Sequence, residues 1–167
     1  MDCVLFRHGI AVEREEWEGD ESRRPLTPKG IKRAREAAMG LASLDLQPTH
    51  LFTSPFARAL ETAKILRDAH KPRLDLQIRH ELLPDAHPDK MIQILADLDE
   101  DACVICVGHE PHLGDLASVL LFGKTGAGLV LKKAGACLIR FEGSPKAGRG
   151  QLQWWLTSGQ LRDLAEA

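Results

Sequence analysis

The chain has 167 residues, 44% of them hydrophobic and 28% charged, with a formal net charge of -2. This composition suits one globular α/β domain over 1–167 and excludes a disordered chain, and a balance so near neutral excludes the broadly basic surface that nucleic acid would need. No apolar run reaches membrane-spanning length and no basic-then-apolar leader precedes the first strand, so a cytoplasmic protein with no membrane partner is expected.

Val4-Leu5-Phe6 reads as a strand, and Arg7-His8-Gly9 forms a turn at its C-terminal end. The segment Glu13 to Arg24 is polar and charged, without apolar periodicity, and reads as a loop. Thr27-Pro28 then opens a helix, with Thr as N-cap and Pro at the first helical position. Its apolar face runs Ile31, Ala34, Ala38, Leu41. A strand follows near Thr49 to Thr53, and Ser54-Pro55 starts a second helix whose face is Phe56, Ala59, Leu60, Ala63 and Leu66. Leu74, Leu76 and Ile78 alternate with polar residues as a strand with one wet face.

Met91, Ile94, Leu95 and Leu98 mark a third helix, and Ala102 to Val107 is a short apolar run typical of a strand buried on both faces. Cys103 and Cys106 within it form a CxxC pattern. Strand alternation points them to opposite sides, so they read as buried apolar residues rather than a redox or zinc half-site. Leu113, Leu116, Ala117 and Leu120 mark a fourth helix, closed by a turn at Gly123-Lys124-Thr125. That turn is no P-loop: position 118 is Ser where glycine is required, and a helix precedes it. Cys137 to Phe141 and Gln151 to Thr157 read as an antiparallel hairpin, with Trp154 and Trp155 on opposite faces, one in the core and one partly exposed. Strands alternating with helices, then a hairpin, predict a three-layer αβα sandwich with a mixed, mostly parallel sheet.

Three strand ends carry matching equipment: Arg7-His8-Gly9, Ser54-Pro55-Phe56-Ala57-Arg58 and Gly108-His109-Glu110-Pro111. Ligand chemistry in open α/β sheets collects at that end of the strands. Two histidines and two arginines there suit phosphoryl transfer. Guanidinium forks bind phosphate oxygens, and they disfavour a protonated imidazole, keeping it nucleophilic. Arg58 falls in the first turn of a helix, where free N–H groups and the helix dipole also favour anions. Gly9 is expected to let backbone approach the ligand closely.

These residues resemble the histidine phosphatase superfamily, which includes the cofactor-dependent phosphoglycerate mutases. The similarity rests on Leu5 to Gly9, on Arg24-Pro25-Leu26-Thr27-Pro28-Lys29-Gly30, on Ser54 to Thr62, and on Val107 to Pro111. Their order and spacing are similar to those of the short SixA-type phosphohistidine phosphatases, and the likeness spans nearly the whole chain. The resemblance implies a phosphoglycerate mutase-like fold and a metal-independent phosphatase with no cofactor. It implies His8 as the phosphorylated nucleophile, Arg7 and Arg58 as phosphate-binding arginines, and His109 as a hydrogen-bonding partner of the transferring group. Arg24 matches an extra basic residue of the SixA-type pocket, with the adjacent Arg23 competing for that place.

For the general acid, Glu81 in His80-Glu81-Leu82-Leu83-Pro84 is preferred over Glu110. A helix N-terminus alone explains a carboxylate at position 110. The short chain leaves little for an elaborate lid, which favours a phosphorylated protein side chain, phosphohistidine by resemblance, as substrate. A small-molecule phosphomonoesterase is the alternative within the superfamily, and a non-catalytic phosphate-binding module the alternative outside it. His50, His70, His80 and His87 are expected to be solvated. His109 and His112 invite a metal reading, but no acidic or cysteine cluster at ligand spacing joins them. Lys132 and Lys133 solvate a loop or rim the pocket.

Overall fold

The chain is described by a computed structural model over residues 1–166. Six strands make one sheet: β1 (Asp2–Arg7), β2 (His50–Thr53), β3 (Leu76–Ile78), β4 (Cys103–Gly108), β5 (Ala136–Arg140) and β6 (Gln151–Leu156), in the order β3-β2-β4-β1-β5-β6. The β3-β2, β2-β4 and β4-β1 pairings are parallel, while β1-β5 and β5-β6 are antiparallel. Helices α1 (Pro28–Ser43), α2 (Ala57–Ala69) and α5 (Ser158–Ala165) bury apolar residues against one face of the sheet. Helices α3 (Pro88–Ala96) and α4 (His112–Phe122) cover the other. This is the expected three-layer sandwich with a mixed sheet.

Local signals account for most elements. Thr27 accepts from the Gly30 amide and Pro28 opens α1, as the cap pattern predicts. β4 is buried along its whole length, and Val104 and Cys106 enter one core while Ile105 and Val107 enter the other. All four cysteines are free and buried.

Several expectations change. Ser54-Pro55 precedes α2, which begins at Ala57, so Phe56 caps the helix. The wet-faced strand shrinks to β3: Leu74 is buried before it begins, and Ile78 is 50% exposed because an edge strand has no neighbour to cover its outer side. His70 is buried, its Nδ1 within 2.8 Å of the Leu66 carbonyl as it ends α2. Trp154 and Trp155 are both half-buried, each against a different core, because β6 is the other edge. Helix α5 was not expected. Its signal is Thr157 with Gln160 three residues on, a capping box in which each side chain satisfies the other's backbone amide.

Glycine sets one helix contact. A Cβ on Gly40 of α1 would lie 1.7 Å from the Leu161 carbonyl oxygen of α5, so only glycine allows the two helices to touch here.

Candidate active site

Register does most of the assembly. Arg7 pairs with Gly108 and Thr53 with Val107, so the residues after β1, β4 and β2 emerge side by side. The His8 amide donates to the Gly108 carbonyl at 3.1 Å and the Ser54 amide to the Val107 carbonyl at 3.0 Å, which extends the sheet into the turns. The rings of His8 and His109 lie 5.0 Å apart, at the floor of a cavity of about 330 Å³ also walled by Arg7, Arg24, Arg58 and Lys133.

The His8 ring is fixed by one contact. Its Nδ1 lies 2.7 Å from the Gly9 carbonyl oxygen. A carbonyl only accepts, so Nδ1 carries the proton and Nε2 is left with a free lone pair. The peptide making that contact is tied down in turn: the Gly9 amide donates to Thr62 Oγ1 at 3.1 Å, and Thr62 donates to the Arg58 carbonyl at 2.7 Å. Gly9 does not serve the close ligand approach expected of it. A Cβ there would meet the Gly30 carbonyl at 3.3 Å and Ala34, so the missing side chain admits α1. Gly30 is the tighter of the two, since its Cβ would lie 2.0 Å from the Ile10 oxygen. Burial, with help from Arg58, Arg7 and Lys133, lowers the His8 pKa to about 3 and keeps the ring neutral.

His109 Nε2 lies 2.8 Å from Ser54 Oγ, while its Nδ1 is buried without a protein partner. Burial and then the neighbouring His8 and Arg58 lower its pKa to about 2. Phe56 packs edge-on against this ring at 5.3 Å, and the Arg58 guanidinium sits 5.1 Å from the same phenyl ring. Arg7 donates through Nη1 to the Leu131 carbonyl, and Arg58 through Nη1 to the Glu21 carbonyl. The Nε groups of both arginines are buried and unpartnered. Cationic donors converging on one cavity suit, by their chemistry, a tetrahedral anion.

Arg24, and not the exposed Arg23, lines the cavity. Its fork holds Glu21 through Nε at 3.0 Å and Nη2 at 2.8 Å, and its Nη1 donates to the Val12 carbonyl at 2.5 Å. Glu21 also reaches Arg58 at 3.2 Å and Arg14 at 3.4 Å. The hydrogen bond from Arg24 above all holds the Glu21 carboxyl down at about 2. Sequence reading missed Glu21; its signal was an acid three residues before Arg24, a spacing that one short 3-10 turn, Glu21–Arg23, brings into contact.

The carboxylates are placed differently from the expectation. Glu81 sits in a 3-10 turn, His80–Leu82, whose Leu82 anchors the core, and it is not among the residues lining the cavity; Pro84 of that segment is. Glu110 does line it. Its Oε1 accepts from the Leu131 amide at 2.9 Å and Oε2 from the Gly114 amide at 3.2 Å, while burial raises its pKa. Of the two candidate carboxylates, the one at the helix start after central β4 lines the cavity, and the one in the turn after the edge strand is not among its lining residues. Lys133 lines the cavity, whereas Lys132 is exposed. His112 is buried in the first turn of α4 with neither ring nitrogen partnered, and His109 is turned toward Ser54.

The sequence model of the histidine phosphatase superfamily (branch 1) matches residues 3–83. An uncharacterized protein of a Picosynechococcus species is 37% identical over 142 residues, covering 84% of this chain and 85% of its own. The phosphohistidine phosphatase SixA of Escherichia coli is 25% identical, with 97% of each chain covered. A structure of the protein histidine phosphatase SixA complexed with tungstate superposes with a TM-score of 0.84 at 24% identity, over 96% of this chain and 99% of that one. A phosphoserine phosphatase of Entamoeba histolytica in complex with 3-phosphoglyceric acid gives 0.70 at 18% identity, over 96% and 98%. With that ancestry and these strand-end residues, the chain belongs to the histidine phosphatase superfamily.

Proposed function

We propose that this phosphatase hydrolyses the phosphoryl group of a protein phosphohistidine through a covalent intermediate on His8. The observation that carries the reading is the tautomer: a buried neutral imidazole, with Nδ1 bound to the Gly9 carbonyl, presents a bare Nε2 to a cavity walled by arginines. The Nε2 lone pair attacks phosphorus in line, and the N–P bond of the substrate breaks with its electron pair leaving on the substrate imidazole. Arg7, Arg58 and Lys133 offset the charge on the phosphoryl oxygens, and His109, with Ser54 held at Nε2, offers its Nδ1 proton to one of them. Arg24 acts chiefly by holding Glu21.

Because Nδ1 keeps its proton, the intermediate is a phosphoimidazolium, a good leaving group. Water then attacks phosphorus, the Nε2–P bond breaks, and His8 returns neutral as phosphate leaves with the proton of that water. An imidazole leaving group needs little acid help, which fits a cavity whose one half-buried carboxyl outside the Glu21 network, Glu110, already accepts two backbone amides. The likeness to SixA over the whole chain supports the protein substrate. Rapid acid-free quenching with a radiolabelled phosphoramidate tests the mechanism. The wild type traps an acid-labile, base-stable phosphoenzyme and His8→Ala traps none; full activity in His8→Ala overturns the reading.

A further inference from the structure

A second cavity, of about 440 Å³, shares Arg7 and Lys133 with the first. The catalytic cavity mixes Arg7, Arg14, Arg24, Arg58 and Lys133 with four glutamates. The second is different in kind. Arg7, Arg33, Lys132, Lys133 and Arg162 contribute to its wall, and no acidic residue does. Of these, Arg162 alone makes an ion pair among the described residues, with Glu36 at a long 3.6 Å. The first turn of α5 closes one side. Thr157 takes up the Gln160 amide, which leaves the first amides of the helix, at Ser158 and Gly159, outside intrahelical pairing. Ser158 Oγ is buried there without a partner.

Cations of which only Arg162 is ion-paired, free amides and an orphaned hydroxyl around one concavity describe a binding place for an anion. We propose that this cavity is an anion subsite for a carboxylate or phosphate that the substrate carries beside the transferring phosphoryl group, supplied by an acidic side chain flanking the phosphorylated residue. The inference rests on the phosphatase reading. Shared walls make it directional: Arg7 and Lys133 face the reacting phosphoryl group on one side and the flanking anion on the other. Glu13 and Glu15, which line the first cavity and not the second, disfavour an acidic flank there.

The test compares two synthetic phosphohistidine peptides, one with Glu beside the phosphorylated residue and one with Gln, in the wild type and in a double variant, Arg33→Gln with Lys132→Gln. Neither side chain makes a hydrogen bond or ion pair among the described residues. The wild type is expected to show a KM lower by about tenfold for the acidic peptide. The double variant loses that preference at unchanged kcat, and both proteins hydrolyse phosphoramidate equally. Equal KM values for the two peptides in the wild type, or a preference that survives in the double variant, overturn the proposal. A bisphosphorylated sugar preferred over the acidic peptide overturns the protein flank as the source of the anion. Failure of the phosphatase reading looks different: the wild type leaves phosphoramidate intact, and equilibrium binding of the unphosphorylated acidic peptide to both proteins then tests the subsite alone.

Discussion

A single carbonyl decides what His8 can do, because it chooses the tautomer, and burial keeps that tautomer uncharged well below neutral pH. Carboxyl groups divide by the same logic of place. Glu110 lines the cavity and burial raises its pKa, the direction an acid for an alkoxide leaving group needs, whereas Glu81 is not among the lining residues. Glu110→Gln is therefore expected to slow hydrolysis of p-nitrophenyl or alkyl phosphate monoesters by about 10-fold to 100-fold and phosphoramidate much less, with Glu81→Gln near wild type on both. Steady-state kinetics on the two substrate classes check this, and equal losses in Glu110→Gln sink the assignment. At this scale the gathering of Arg7, His8, Arg58 and His109 around one cavity was legible because three of them stand at strand ends and Arg58 in the first turn of the helix after β2. Glu21 could not, since its meaning depends on a short turn folding back onto Arg24 and Arg58. Which carboxylate lines the cavity was not legible, because position 81 follows an edge strand and position 110 a central one.

Among the elements, α5 shows how much of a fold a short segment can set. Its docking depends on Gly40, where the backbone of one helix meets the other. Gly40→Ala adds a methyl group with nowhere to go, since the nearest atom is a rigid carbonyl. We expect a loss of about 1–3 kcal/mol in urea unfolding, without loss of phosphoenzyme formation by the folded fraction. A midpoint equal to the wild type would show that α1 and α5 separate freely. Long amphipathic helices and the buried β4 were legible because their periodicity is strong and continuous. α5 is eight residues with one buried apolar side chain, so periodicity could not reveal it and only its capping box could.

Taken as a whole, the molecule buries several neutral histidines, and this couples its stability to acid. His8, His109 and His112 have pKa values lowered to about 3, about 2 and about 4, chiefly by burial, against about 6.5 in an unfolded chain. Below pH 6.5 the unfolded chain takes up protons that the native state refuses, so stability is full above that pH and falls as the pH drops toward each folded value. His112 isolates the effect, being outside the set of residues lining the catalytic cavity and without partners at either nitrogen. His112→Leu should flatten the stability curve between pH 6.5 and 4 by up to about 1.4 kcal/mol per pH unit, measured by denaturant titration across that range. An unchanged slope would mean that His112 is not buried neutral. The sandwich itself was legible because alternating strands and helices leave few ways to cover a sheet on both faces. The two cavities were not, because each draws its walls from loops and helix ends remote in sequence.

The order of the strands has a mechanical consequence. β1 and β4 occupy the middle of the sheet, each clasped on both sides, and the rings of His8 and His109 hang from their ends. Amide exchange with solvent should thus be slowest in the very strands that end at His8 and His109, and fastest at β3 and β6. Breathing at the rims then leaves the spacing between the rings untouched, so the edges of the sheet can loosen while the two imidazoles keep their places.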